Sequence, residues 1–575
     1  MQTYLDYYNK WLQSPTIDED TKKELQSIAS DDEEIKERFF KDLEFGTGGL
    51  RGIVGAGRNR MNIYTIKKTT QGFANYILKN SAQKDPTCVI SYDPRHNSLQ
   101  FAIESALTFN ANGIKTYIFK EMRPTPQLSF SVRHLGASGG VMVTASHNPP
   151  EYNGYKVYGP DGAQVTSPAD SAIMEEVATI KDFEEIKTIS KDEAIAKGLY
   201  RELSDEIDEA FIKNALGQRL NSDIAQETDL KIVYTPLHGA GLAPVTSLLG
   251  SAGYKNVHIV EEQAIPDGNF STTKSPNPEE FSAFELGIKK AKSLDADIVI
   301  ATDPDSDRVG LVAKTADNEY KLISGNLLGA LLAEYILGQQ KAAATLPKNG
   351  AILTSIVSSN MTKEIAKEYG VSYFEVLTGF KHFGAKILEF EKTDGPKFIY
   401  GFEESFGYSI SDYQRDKDAV CVALIICEMA AFYKKDGKNL WDAITKLYEK
   451  YGYFSDISRS VVLTGIEGMQ KINKIMDHFE NNCPNKINGI DVISYKNYKT
   501  SKHKNIKTNE ETEISLPKSN VLYYDLADES WVCIRPSGTE PKIKIYVGTK
   551  ADDLAEANKK SENILADMLK VVNDF

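Results

Sequence analysis

Apolar runs of strand length alternate with helix-period stretches along most of this chain, and that alternation narrows the fold more than any single motif does. Cys88–Tyr92, Thr116–Phe119, Lys231–Tyr234 and Asp297–Ala301 are short and rich in β-branched residues, while Phe101–Asn112 and Phe281–Leu294 between them carry a helical period. Strand–helix–strand order predicts α/β domains with mixed, mostly parallel sheets. In such sheets ligands gather at the carboxyl ends of strands, so the segments just after the apolar runs are where chemistry is expected. Residues 1–45 read as helical and acidic. Beyond residue 455 the pattern changes: Ser460–Leu463, Val492–Tyr495 and Val521–Tyr524 surround a Lys/Asn/Thr-rich stretch near 496–511. That predicts a separate C-terminal α+β domain with a hairpin or mobile loop.

With 575 residues, at roughly 100–200 residues per domain, the chain has room for several domains. Its formal charge is −14, from 67 Lys and Arg against 81 Asp and Glu. That balance excludes nonspecific nucleic-acid binding, which needs clustered cations. It leaves room for anionic substrates on local cationic loops. Five cysteines, without C-x-x-C spacing, predict reduced thiols and a cytoplasmic setting. The first residues are polar and aromatic and include Asp6, so no secretory leader is expected. The longest apolar-rich run, Ala419–Tyr433, contains Glu428 and is too short to span a bilayer. It predicts a buried helix started by Asp416 or Asp418, and no membrane partner.

Three segments carry the strongest chemical signals. Thr144-Ala145-Ser146-His147-Asn148-Pro149 follows the apolar run Gly139–Val143, and Asn148-Pro149-Pro150 stops that strand. Ser146 is therefore a hydroxyl presented on a strand-end turn, a place suited to a nucleophile or phosphate carrier. His147 is its neighbour, although adjacent side chains are not expected to face each other as nucleophile and base. Asp303-Pro304-Asp305-Ser306-Asp307-Arg308 follows the next strand run. Three carboxylates at alternate positions of a surface turn suit a hard cation such as Mg²⁺. An EF-hand is excluded, because Arg308 stands where its Gly belongs and Lys314 where its Glu belongs. Arg535-Pro536-Ser537-Gly538-Thr539 combines a planar fork with a hydroxyl-rich Gly turn, an anion nest suited to phosphate.

Weaker segments support these. Gly46–Gly52 is a Gly-rich loop carrying Arg51, but it is neither a dinucleotide fingerprint nor a Walker motif. Glu403 and Ser405 follow the run Lys397–Tyr400 and suit sugar hydroxyls. Lys381 follows a tight turn, and Lys156 lies ten residues past Ser146 on a returning strand. A serine hydrolase is disfavoured, since no G-x-S-x-G elbow is present. Mere binding needs neither a nucleophile nor a three-carboxylate loop. Together the segments form an inventory for phosphoryl transfer on a phosphosugar.

In the order GTGGLRG, TASHNP, DPDSDR, GFEES and RPSGTEP, the chain resembles the α-D-phosphohexomutase superfamily, most closely its bacterial-type phosphoglucomutases. The resemblance runs from about Phe45 to the C-terminus. It implies four domains around a cleft, at 1–202, 203–316, 317–455 and 456–575. It also implies exchange of α-D-glucose 1-phosphate and glucose 6-phosphate through a bisphosphate, with pentose or mannose phosphates as the alternative substrates. Ser146 would carry the phosphate. Asp303, Asp305 and Asp307 would hold Mg²⁺ together with the Ser146 phosphate, and Arg308 would face that phosphate. Glu403 and Ser405 would hold the sugar. Arg535, Ser537, Gly538 and Thr539 would grip the unreacting phosphate, with His147, Lys156, Arg51 and Lys381 lining the centre. Glucose 1,6-bisphosphate would prime the enzyme. Some relatives carry a His where this chain has Gly407 or Phe380, which leaves proton transfer to His147 or Lys156. Oligomeric state is not legible in the sequence.

Overall fold

The computed structural model describes residues 3–43, 49–463, 465–537 and 542–575. They fall into two compact units. The first comprises Met1–Ile323, Phe383–Gly395 and Phe406–Gly437; the second comprises Ser324–His382, Pro396–Ser405 and Lys438–Phe575.

The first unit opens with helices Tyr4–Gln13, Glu19–Ser27 and Asp32–Phe39. Thr3, Asp18 and Asp31 cap them by accepting backbone N–H groups of the first turns. Trp11, Leu25, Ile35 and Phe39 form their shared core. A six-stranded sheet follows, built from β1 (Leu50–Ile53), β2 (Thr87–Tyr92), β3 (Lys115–Ile118), β4 (Gly139–Val143), β5 (Tyr152–Tyr158) and β6 (Tyr200–Glu202). Its order is β1-β5-β4-β2-β3-β6, with the last four strands mutually parallel and β5 antiparallel to both its neighbours. Every residue of β4 is buried, as a continuous apolar run in a covered sheet requires. β5 can approach the end of β4 because position 154 is Gly: a Cβ there would stand 2.3 Å from the Thr144 carbonyl oxygen. That approach brings Lys156 alongside Met142.

The second sheet of this unit uses β7 (Ile232–Thr235), β8 (Val257–Ile259), β9 (Ile298–Thr302), β10 (Val309–Lys314) and β11 (Tyr320–Ile323), in the order β11-β10-β9-β7-β8. Its parallel part is β9-β7-β8, and β9 turns back into β10 through the Asp-rich segment. Strand β15 (Gly407–Ile410) precedes the expected buried helix, which spans Ala419–Lys435 with Asp418 as its N-cap.

In the second unit, β12 (Gly350–Ser355) lies between β13 (Ser372–Val376) and β14 (Lys397–Glu403), all parallel. The C-terminal sheet is antiparallel, running from β16 (Tyr453–Val462) through β23 (Lys542–Ala551), β22 (Trp531–Pro536) and β21 (Leu522–Leu526). It continues through β18 (Ile490–Asn497), which also pairs with the short β17 (Lys486–Ile487), and β19 (Lys502–Asn505) to β20 (Glu511–Glu513). The Lys-rich stretch near 496–511 is therefore a strand meander. Helices Gly465–Asn481 and Leu554–Asn573 lend apolar side chains to this sheet's core. Among the described residues no helix is long and apolar enough to cross a membrane.

Candidate active site

Ser146 stands three residues past β4, held in a frame of buried polar groups. Thr144 Oγ1 accepts the Ser146 N–H at 2.8 Å and donates to Asp93 at 2.7 Å. The backbone at Ser146 is left-handed, with φ 53°, which is uncommon for a residue other than glycine. Arg95 pins that conformation. Its Nη2 donates to the Ser146 carbonyl at 2.7 Å and to the Asn148 carbonyl. Its Nη1 donates to the Pro149 and Tyr152 carbonyls at 2.7 and 3.0 Å. The buried guanidinium pairs with buried Asp93 at 3.2 Å. Sequence reading missed both residues; the available signal was their position, directly after the apolar run that became β2.

The Ser146 hydroxyl donates to Asp303 Oδ2 at 2.7 Å. His147 Nδ1 lies 3.2 Å from the Ser146 Oγ. This corrects the expectation that the neighbouring side chains would not face each other: the left-handed turn at Ser146 brings hydroxyl and imidazole together. Arg51, on β1, donates to Asn148 Oδ1 at 2.8 Å and so also reaches this loop.

The Asp-rich segment departs from its expected setting. The sequence suggests a surface turn, whereas Asp303, Asp305 and Asp307 are all buried. Their carboxylates converge, each offering an oxygen within 4.8 Å of the others. Thr125 donates its hydroxyl to Asp305 Oδ2 at 2.8 Å. Lys156 Nζ donates to Asp305 Oδ2 at 2.6 Å and to Asp307 Oδ2 at 2.9 Å. Lys417 Nζ adds an ion pair to Asp307 Oδ2 at 3.2 Å. Arg308 pairs with Glu279 and stands 3.9 Å from Asp307. Burial, then the charges of Asp305 and Asp307, push the Asp303 carboxyl well above the ordinary carboxylate range. Burial also acts to raise Asp307, but the Lys156, Lys417 and Arg308 charges outweigh it and hold that carboxyl below its usual value. Lys156 is held above the usual ammonium value, because Asp305 and Asp307 overcome its burial.

A divalent metal fits this donor set. Asp305 Oδ1 and Asp307 Oδ1 are buried and accept no hydrogen bond. Hard carboxylate oxygens with unused lone pairs are what such a cation asks for.

Lys417 is a further residue that sequence reading missed. Its signal was a charged run, Arg415–Asp418, directly ahead of an apolar-rich helix. Its stem explains Gly407. A Cβ at position 407 would stand 2.1 Å from Lys417 Cδ, so glycine leaves that space to the lysine.

The second unit gathers a different set. Glu403 ends β14 and accepts the Gly379 N–H at 2.5 Å. Gly379 takes φ +110°, a conformation open to glycine. Arg535 donates to the hydroxyl of Thr378, on the same turn. Lys381 follows in helix Phe380–Lys392. Glu403, the turn at 378–379 and Arg535 are thus joined, and Ser405 is two residues from Glu403. Ser537 continues the β22–β23 ladder by donating its N–H to the Lys542 carbonyl at 2.8 Å. Gly538 and Thr539 lie outside the described residues, as do Gly46, Thr47 and Gly48 of the Gly-rich loop.

Family comparison divides the chain into four consecutive segments. Residues 42–184, 209–316 and 324–451 match phosphoglucomutase/phosphomannomutase alpha/beta/alpha domains I, II and III, and residues 501–564 match the C-terminal domain of the same family. The chain belongs to the phosphoglucomutase/phosphomannomutase family. It is 38% identical over 527 residues to the phosphoglucomutase of Staphylococcus haemolyticus, covering 92% of this chain and 94% of that one. Its fold is that of the phosphoglucomutase parafusin from Paramecium in an open form, with a TM-score of 0.67 at 18% identity, covering 93% of this chain and 96% of that one. A phosphoglucomutase/phosphomannomutase family protein of Burkholderia thailandensis gives a TM-score of 0.65 at 19% identity, covering 92% and 97%. Membership makes the chain an enzyme of the intramolecular phosphotransferase class.

Proposed function

We propose that this enzyme interconverts α-D-glucose 1-phosphate and glucose 6-phosphate, with Ser146 as the phosphate carrier. The observation that carries the reading is the Ser146 hydroxyl, 2.7 Å from Asp303 at the edge of a buried three-carboxylate cluster. The match to curated phosphoglucomutases over nine-tenths of the chain supports glucose as the sugar. The four family segments support a division into domains at 1–202, 203–316, 317–455 and 456–575.

In the first half-reaction the P–O bond to Ser146 breaks as a sugar hydroxyl oxygen bonds to the phosphorus. The hydroxyl's proton passes to a base, and the product is a bisphosphorylated sugar. In the second half-reaction the other phosphoryl group returns to the Ser146 oxygen, and the sugar oxygen regains a proton. Glucose 1,6-bisphosphate is the priming donor. Asp303, Asp305 and Asp307 would hold Mg²⁺, which supplies positive charge beside the phosphoryl oxygens when bound. Arg308 adds cationic charge to the same end. His147 and Lys156 are the groups placed to move the proton, His147 by its contact with the serine oxygen and Lys156 by its place among the carboxylates. Arg51 orients the Asn148 side chain of the serine loop. Glu403 and Ser405 hold sugar hydroxyls, Lys381 adds a cation, and Arg535 with Ser537, Gly538 and Thr539 grips the phosphate that is not reacting.

A panel of glucose, mannose, N-acetylglucosamine, ribose and deoxyribose 1-phosphates, assayed with Mg²⁺ and bisphosphate primer, tests the substrate. Glucose 1-phosphate should have the highest kcat/KM. A higher value for a pentose or mannose phosphate would overturn the glucose assignment.

A further inference from the structure

Away from the reaction centre, the first unit contains an open cleft of about 140 Å³ between helix Tyr4–Gln13, helix Ile63–Asn80 and the segment around 174–183. One wall is aromatic: Trp11, Tyr64 and Phe183 lie with ring centroids 5.4 Å apart in each pairing. Met174 and Val177 extend that apolar face.

The cleft's charge runs against that of the whole protein. Four cations line it, Lys10, Arg58, Lys68 and Lys181, against two carboxylates, Asp42 and Asp182. Lys10 and Asp182 pair with each other. Asp42 is shared by Arg58 at 2.5 Å and Lys68 at 3.3 Å, so one carboxylate serves two cations. Arg58 is also seated over the Tyr7 ring, 3.7 Å from its centroid, which fixes the guanidinium plane. In a chain of net charge −14, a cationic end beside an aromatic wall is a local arrangement for an anion that carries a planar apolar ring.

From this arrangement we infer that the cleft binds a nucleoside phosphate, with the phosphate at Arg58 and Lys68 and the base along the Trp11–Tyr64–Phe183 wall. A phosphosugar suits it less, because a sugar's hydroxyls find only apolar and aromatic surface on that wall. The site uses none of the residues assigned to the reaction.

Isothermal titration calorimetry of the full chain in chelator, with AMP, ATP, UMP and UTP as probes, tests the assignment. Adenosine and inorganic phosphate serve as the two half-ligands. At least one nucleotide should bind at a single site, about tenfold or more tighter than either half-ligand. Lys68→Met should weaken it by about tenfold, through loss of a charge-assisted contact. Ala178→Trp, an exposed position on the rim, should block binding while leaving the ion pairs intact. Turnover of glucose 1-phosphate without nucleotide should be unchanged in both variants, which checks that they fold. No heat from any nucleotide up to about 1 mM, or binding that survives both variants, would overturn the site. So would nucleotide binding abolished by saturating glucose 1-phosphate, since the probe would then be reporting the phosphosugar site.

Discussion

The serine and aspartate loops of the first unit and the Glu403–Arg535 cluster of the second are built on different principles. Around Ser146 the groups are buried and held from several sides. Arg95 fixes the loop through four carbonyls, and the three carboxylates are matched by Lys156, Lys417 and Arg308. In the second unit, Glu403 and Arg535 are tied through a single glycine-bearing turn, Thr378–Gly379. A group that forms and breaks a bond to phosphorus gains from preorganisation, because the surrounding dipoles then need not rearrange as charge develops. A group that holds a phosphate throughout needs only strong contacts. The first cluster should therefore govern kcat and the second KM.

Removing the Ser146 hydroxyl is the largest test of this contrast. Ser146→Ala should lower kcat by about 10³-fold or more, as loss of a covalent carrier does, with little change in fold. Near-wild-type turnover in steady-state assays would end the covalent account.

Asp305→Ala comes next, and it separates a buried cluster from a solvated turn. The substitution takes Lys156 from two carboxylates to one and leaves the Thr125 hydroxyl without its acceptor. Breaking a buried ion pair costs about 3–5 kcal/mol, and Asp307 remains as partner, so a loss of about 3 kcal/mol is expected in urea denaturation. Activity should vanish as well. Unchanged stability would show that burial of this loop contributes little.

Arg535→Ala should show the opposite signature. Its fork makes charge-assisted hydrogen bonds worth about 1.5–3 kcal/mol each to a charged group, so KM should rise by about tenfold or more while kcat falls less. Arg535→Lys should recover charge but not bidentate geometry. A variant that loses kcat at constant KM would erase the proposed division between the clusters.

The smallest effect is expected at Gly407. A Cβ 2.1 Å from Lys417 Cδ forces a flexible stem to shift rather than a backbone. Gly407→Ala should therefore lower kcat several-fold by moving the Lys417 ammonium off Asp307, with stability changing by about 1 kcal/mol. An unchanged kcat would detach Lys417 from the reaction.

What the sequence made legible follows from local pattern. The apolar runs became β4 and β9, and Ser146 and Asp303 lie just beyond their carboxyl ends, because strand placement is encoded within a few residues. Lys156 was found because a returning strand must follow the Pro-bounded turn. The illegible parts depend on pairing between distant segments. Arg95 reaches Ser146 across 51 positions and Lys156 reaches Asp305 across 149, separations that leave no periodic trace. For the same reason a D-x-D-x-D run read as a surface turn: the lysines that make its burial tolerable lie far along the chain. The Ser146–His147 contact escaped notice because it depends on one left-handed residue.

The central claim is that phosphate resides on Ser146 during turnover. Loading the enzyme with radiolabelled glucose 1,6-bisphosphate and chasing with unlabelled glucose 1-phosphate tests it directly. The account predicts label on the Ser146 peptide alone, discharged to sugar at least as fast as kcat; label elsewhere, or label on Ser146 that leaves more slowly than turnover, would contradict it.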